Sequence, residues 1–355
     1  MVQEGKVELT SFNHPNHYCP KLAQAPKYGE MKMFGLRELK STIKITKKTV
    51  ECPVKSCEEK VHRQREFFRK EEKFKCPKHN IYISPSTFEY HNWQDNILWK
   101  EKADLDLLKN VKTVKRETRI ARDNSEDAVT WNIFRFLEKN KLLSGLLANL
   151  NRSAVKNPEI IYWSYSQSEQ SAWSELQKAR KEFETRPRKG SEPDIIVKSD
   201  SALFFVEAKL TASNNTVCRS RNPKVQKKYE TGGDRWYKRV FCSPFETIAI
   251  SKKKYELLRF WLIGSWIAKR LQLDFRFINL VLSERERDIE KIFRRHIKQD
   301  QRRRFIRITW EDIYAHILES NSSIRDRGII KRYFENKTIG YDRNRKLQKA
   351  FSMAF

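Results

Sequence analysis

The chain reads as an α/β protein, a mixed central β-sheet flanked by helices, preceded by a small cysteine-centred domain. Three observations predict this. From Ile120 onward, helix and strand signals alternate along the sequence. The strand candidates at 194–198, 202–209 and 275–282 carry near-continuous apolar runs, which mark strands covered on both faces. Three of the six cysteines, Cys52, Cys57 and Cys76, fall within residues 49–92.

The 355 residues allow two or three domains, and 39% hydrophobic with 12% aromatic residues excludes a wholly disordered chain. Residues 1–48 are irregular, punctuated by His14, Pro15, His17, Cys19, Pro20 and Pro26. The cysteine domain at 49–92 follows. A polar connector at 93–118 carries an apolar patch at 105–108. The α/β domain spans 119–335, and 336–355 is a basic C-terminal tail. Inside the α/β region, Asn124-Ser125-Glu126-Asp127 is a helix start, with Trp131, Phe134 and Leu137 on one face. A strand at 160–163 and a helix at 168–183 come next. The strands 194–198 and 202–209 are joined by the turn Ser199-Asp200-Ser201. A basic stretch without a clear element leads to a helix at 252–271, striped by Tyr255, Leu258, Trp261, Leu262 and Trp266. Strand 275–282, helix 285–297, strand 305–310 and helix 311–318 complete a β-α-β-α ending.

Lys plus Arg is 73 against 45 for Asp plus Glu, a formal charge of +28. Such an excess predicts a polyanionic partner. Nucleic acid is favoured over a membrane as that partner, because the longest apolar run, 260–268, is far short of the roughly 20 residues a spanning helix needs. The first thirty residues have no apolar core of a signal peptide, so a reducing, cytoplasmic location is expected. There, cysteines serve better as metal ligands than as disulfides.

Cys52-Pro-Val-Lys-Ser-Cys57 is followed, after eighteen residues, by Cys76-Pro-Lys-His79. Two ligand pairs separated by a hairpin-length spacer close a tetrahedral zinc site. Four protein ligands leave no open position, so one structural Zn²⁺ is expected. His62, His91 or the His17/Cys19 pair are alternatives to His79 as fourth ligand. Cys218 and Cys242 read as ordinary small residues.

Glu192-Pro193-Asp194 opens the first hairpin strand, and Glu207-Ala208-Lys209 closes the second. Alternation puts Glu207 and Lys209 on one face, and hairpin pairing brings Asp194 beside them. Paired carboxylates repel unless a cation lies between them, and oxygen ligands suit Mg²⁺. A bound Mg²⁺ activates water and polarises a phosphoryl oxygen, while Lys209 is placed to orient that water or stabilise developing charge. The chemistry points to phosphodiester hydrolysis.

Pro193-Asp194, twelve intervening residues and Glu207-Ala208-Lys209 resemble the PD-(D/E)xK nuclease superfamily. The resemblance implies a restriction-endonuclease-like core of mixed sheet flanked by helices, with Mg²⁺ (or Mn²⁺) held by Asp194 and Glu207. It implies a further carboxylate from an upstream helix, for which Glu126 is the candidate and Glu169, Glu175 and Glu182 are the competitors. It also implies cleavage of DNA, duplex favoured, in restriction or genome defence, by a homodimer or with other defence-system subunits. A repair, recombination or transposition nuclease on the same fold is the alternative, as is a non-catalytic zinc-ribbon nucleic-acid-binding protein.

Between Lys209 and Arg259 lie 13 basic and 4 acidic residues. Arg219, Arg221, Lys224, Lys227 and Lys228, then Arg235, Lys238 and Arg239 interleaved with Trp236 and Tyr237, are the expected phosphate contacts. The cysteine region is also basic, with 13 basic and 6 acidic residues from Lys40 to Lys78, and Arg63, Arg65, Arg69 and Lys70 are expected to line a groove.

Overall fold

The computed structural model describes residues 33–352, apart from 66, 116, 188–189, 221 and 321–325. The N-terminal His17 and Cys19, and Arg221 in the basic stretch, lie outside the described residues.

Five short strands make the cysteine module: β1 (Thr49–Glu51), β2 (Lys60–His62), β3 (Lys75–Cys76), β4 (Ile81–Ile83) and β5 (Phe88–Tyr90). β1 pairs with β2, and β3-β4-β5 form an antiparallel sheet. The module has its own small core, in which the buried Cys52, Cys57 and Cys76 pack with Val50, Ile81, Phe88 and Tyr90. The connector then forms helix α1 (Lys102–Val114), which presents Leu108 and Val111 inward.

The α/β part follows as α2 (Glu126–Lys139), α3 (Leu143–Asn151), β6 (Glu159–Tyr162), β7 (Tyr165–Ser166), β8 (Ser171–Ala172), α4 (Ser174–Phe183), β9 (Ile195–Lys198) and β10 (Ala202–Ala208). It continues with α5 (Pro223–Val240), α6 (Tyr255–Arg270), β11 (Asp274–Val281), α7 (Ile289–Arg294), β12 (Arg303–Thr309), α8 (Trp310–Glu319) and α9 (Arg327–Asn336). Seven strands form one mixed sheet in the order β12-β11-β10-β9-β6-β7-β8. β10, β11 and β12 are parallel, and from β10 through β8 the pairings are antiparallel.

Strand alternation splits the hydrophobic residues between two cores. Phe204, Val206 and Ile278 face α2, α3, α8 and α9. Leu203, Phe205 and Phe277 face α4, α5, α6 and α7. The approach of α6 to the sheet needs Gly264, where a Cβ would stand 2.3 Å from the Phe275 ring. Among the described residues, no helix is long and apolar enough to cross a membrane.

Four local expectations change. The helix expected at 168–183 begins only at Ser174, because 165–172 folds back as the β7-β8 hairpin and Glu169 accepts hydrogen bonds from the Ser174 backbone (2.8 Å) and hydroxyl (2.9 Å). The unassigned basic stretch contains α5, anchored by Tyr229, Trp236, Tyr237 and Val240. It kinks at Gly232-Gly233, where Gly233 is left-handed (φ 57°) and a Cβ would stand 2.6 Å from Trp266 Nε1. The helix expected at 285–297 is confined to Ile289–Arg294. The segment read as a basic tail carries an antiparallel pair, β13 (Thr338–Tyr341) and β14 (Leu347–Lys349), whose Tyr341 packs into the cysteine module.

Candidate functional site

The hairpin of β9 and β10 builds the carboxylate cluster. Val206 lies opposite Ile195 in the antiparallel register, so the next pair outward is Glu207 and Asp194. The Asp194 carboxylate accepts from the Ala208 backbone N–H at 2.9 Å and from Trp163 Nε1 at 3.2 Å. Both of its oxygens are thereby fixed by donors on the two neighbouring strand ends. Ser191, three residues upstream, is pinned just as firmly. Its N–H donates to Glu184 at 2.8 Å, its hydroxyl accepts from Arg259 Nε at 2.8 Å, and its carbonyl accepts from Arg180 Nε at 2.7 Å. The approach to Asp194 is therefore set before the strand begins.

Glu207 and Lys209 share the α6-facing side of β10. The Lys209 amine donates to the Glu207 carboxylate and lies 3.1 Å from Glu256 Oε2, in the first turn of α6. Both Glu207 and Lys209 are buried. Burial pushes the Asp194 carboxyl up to about 7, against the pull of Lys209 and Lys115 and with added repulsion from Asp127. Burial, then the Glu256 charge, pushes Glu207 well above the usual carboxylate range. The Lys209 amine is pulled down by burial but more strongly held up by Glu207, Glu256, Asp194 and Glu126, so it stays charged. Several acids crowd one lysine, and without a further cation the cluster must keep a proton.

Glu126 reaches the same neighbourhood from α2. Ser125 caps that helix, its hydroxyl accepting from Ala128 N–H at 3.1 Å. The Glu126 Oε1 accepts from three successive backbone N–H groups, Leu210 (3.0 Å), Thr211 (3.1 Å) and Ala212 (3.1 Å). It thus holds the chain just beyond Lys209. A cleft of about 340 Å³ opens beside it, lined by Lys115, Arg119, Arg122, Asp127 and Thr211 among others. The competitors stand elsewhere. Glu169 accepts from Ser174 at the start of α4, Glu175 pairs with Lys178 (2.5 Å), and Glu182 accepts from Gly233 N–H (2.6 Å).

Glu256 and Lys115 join the cluster without a signal in the sequence. Glu256 reads as an ordinary first-turn acid of a helix, and nothing in its spacing ties it to a lysine 47 positions earlier. Lys115 follows α1, with its amine 3.1 Å from Asp127 and over the Trp163 ring at 4.5 Å. Only the fold brings it to Asp194.

The second cluster is the cysteine–histidine group. Cys52 Sγ and Cys76 Sγ each lie 3.6 Å from His79 Nδ1, and Cys57 Sγ lies 3.7 Å from Cys76 Sγ. All four ligand atoms fall within 4.8 Å of one another. Tetrahedral zinc, with Zn–S about 2.3 Å and Zn–N about 2.0 Å, requires ligand atoms roughly 3.5–3.8 Å apart, so the group fits the ion. Burial pushes the Cys52 and Cys76 thiols up and His79 down, so a metal entering here displaces thiol protons. The alternative His91 instead contacts the Tyr82 hydroxyl at 3.0 Å, and His62 is exposed. Among the described residues this is the one place where three or more such ligand atoms gather.

The basic residues divide. Arg219, Lys224 and Lys227 are exposed and Lys228 half-buried, before the α5 kink. Arg235, Lys238 and Arg239 are exposed at or after it. Arg239 lines a larger cleft of about 690 Å³ with Trp236, Lys269, Arg270, Arg302 and Arg303, at the C-terminal end of α6. Glu256 marks the opposite end of that helix, about 20 Å away at 1.5 Å per residue. The structure does not bring Arg239 to the carboxylates.

Residues 56–337 match the family model described as restriction endonuclease associating with ARP, and the chain belongs to that family. No curated protein and no solved structure gives a match.

Proposed function

From membership of this restriction endonuclease family, we propose that the protein is a Mg²⁺-dependent endonuclease that hydrolyses DNA phosphodiester bonds in restriction or genome defence. The carrying observation is the convergence of a half-buried Asp194 with the buried Glu207 and Lys209 at the end of two paired strands. Burying surplus carboxylates is unfavourable for a protein that only binds, and a cation-dependent function explains it. Asp194 and Glu207 would hold the Mg²⁺ or Mn²⁺. When bound, that ion polarises a phosphoryl oxygen and acidifies water. Lys209, kept charged by its acidic neighbours, donates to the attacking water or to the developing phosphoryl charge. Glu126 acts from the upstream helix by fixing the Leu210–Ala212 backbone, and Glu256 holds the Lys209 amine in place.

Cys52, Cys57, Cys76 and His79 would hold one structural Zn²⁺, and a zinc-ribbon domain at 49–92 ahead of a nuclease domain at 119–335 belongs to the same proposal. Duplex DNA is the favoured substrate, with Arg219, Arg221, Lys224, Lys227 and Lys228 nearest in sequence to the centre as phosphate contacts. Association with ARP, part of the family's description, is carried to this chain on the same footing. The test is plasmid nicking by the purified protein with Mg²⁺ and with EDTA. Nicking in Mg²⁺ that EDTA abolishes is expected, and its absence across a panel of DNA substrates would overturn the proposal.

A further inference from the structure

One aromatic ring stands apart from the cores. Among the described residues, Phe67 is 73% exposed, while the other exposed large hydrophobics, all aliphatic, range from 38% to 47%. It sits between β2 and β3 of the cysteine module, in a loop with a built base. The buried Gln64 donates from its amide to Ile83 O at 2.9 Å and accepts from Arg69 N–H at 2.5 Å. This clamp closes the loop's two ends over four residues and leaves Phe67 projecting.

The surroundings are cationic. Lys47, Lys48, Arg63, Arg65, Arg69 and Lys70 are all exposed. The guanidinium groups of Arg63 and Arg65 lie on the Thr46 and Lys47 carbonyls at 3.2 and 3.4 Å, which groups these charges on one side of the loop. Lys70 pairs with Glu89, and Arg69 lies 3.6 Å from Glu71, so part of the charge is balanced. Phe68 connects the loop to the candidate site. Its ring lies under the Arg122 guanidinium at 4.8 Å, and Arg122 lines the cleft beside Glu126. Phe67 is thus the sequence neighbour of a residue that packs on the wall of the cleft beside Glu126.

An exposed apolar ring beside a cluster of cations matches a ligand that is anionic outside and flat and apolar inside, and a stacked nucleic acid has that character. We propose that Phe67 is a wedge that inserts between base pairs of the duplex entering this cleft. The inference rests on the nuclease reading for its partner and adds how the duplex is gripped. Arg63, Arg65 and the neighbouring lysines hold phosphates beside the ring, and Phe67 unstacks the adjoining step.

The test uses the full zinc-loaded chain and closed circular plasmid, with Ca²⁺ in place of Mg²⁺. Relaxation by a topoisomerase in the presence of bound protein records any unwinding as a change in linking number. The wild type shifts the distribution. Phe67→Ala abolishes the shift and weakens binding about tenfold or more, with an unchanged dependence on salt because the ring neutralises no phosphate. Phe67→Trp restores the shift. Arg65→Ala lowers the salt slope by about 1. A Phe67→Ala protein that binds and unwinds like the wild type overturns the wedge and leaves the ring to an apolar protein partner. A wild type that binds no plasmid overturns the wedge together with the nuclease reading, whereas Mg²⁺-dependent nicking with a silent Phe67→Ala overturns the wedge alone.

Discussion

Burial holds the Asp194 carboxyl near 7, and burial with the Glu256 charge raises Glu207 well above its ordinary range. An acid with a raised folded value stabilises the fold fully below its unfolded value near 4 and loses that contribution as pH rises through the folded value. The cation-free protein should therefore lose thermal stability between about pH 5 and pH 8, with Mg²⁺ restoring more at pH 8 than at pH 5, as calorimetry will show. Cleavage at sub-saturating Mg²⁺ should rise through about pH 7, because the cation takes the place of the Asp194 proton. Glu207→Gln keeps the shape and removes a crowded charge, while Lys209 retains Glu256. Its cation-free midpoint at pH 8 should equal or exceed the wild type by about 1 kcal/mol, roughly 2 °C, although cleavage is lost. Lys209→Ala should lower the cleavage rate by roughly 10² and also the midpoint, because the carboxylates lose a shared counter-ion. Asp194, Glu207 and Lys209 were legible because strand alternation and hairpin register act over a few residues. Glu256 and Lys115 were not, since their places depend on how helices α6 and α1 pack.

The cysteine module is tied to the carboxylate cluster by continuous backbone. In β5, Tyr90 N–H donates to Ala121 O at 2.9 Å, and Asp123 N–H donates back to Phe88 O at 3.0 Å. Asp123 is buried against the Lys337 amine (3.2 Å) and the Thr338 hydroxyl (2.8 Å), two residues before the α2 cap. Helix α2 then delivers Glu126 to the Leu210–Ala212 amides. Cys76→Ser should lower zinc from about one per chain. It should also raise amide exchange along β3–β5 and on into 121–126. Exchange confined to 49–92 would show the two parts to be uncoupled. Helix α2 and strands β9 and β10 were visible in the sequence because capping residues and apolar runs mark them. Helix α5 was hidden by Gly232-Gly233 and its polar composition, and the β7-β8 hairpin by strands of only two residues.

Across the molecule the charge of +28 is spread over the cysteine module, the stretch beyond Lys209 and the cleft at the far end of α6. DNA affinity should fall steeply with salt, and removing Arg219, Lys224, Lys227 and Lys228 should flatten that slope without unfolding the protein, since three of them are exposed and the fourth half-buried. The three-layer α/β/α architecture followed from alternation of elements, a property of the whole sequence. The parallel placement of β11 and β12 beyond β10 depends on crossovers through α6 and α7 that periodicity alone does not order. If the hairpin end hydrolyses DNA, the decisive measurement is plasmid cleavage by Glu207→Ala in Mg²⁺. This variant should bind plasmid as tightly as the wild type and leave it uncut. Cleavage at the wild-type rate would contradict that assignment.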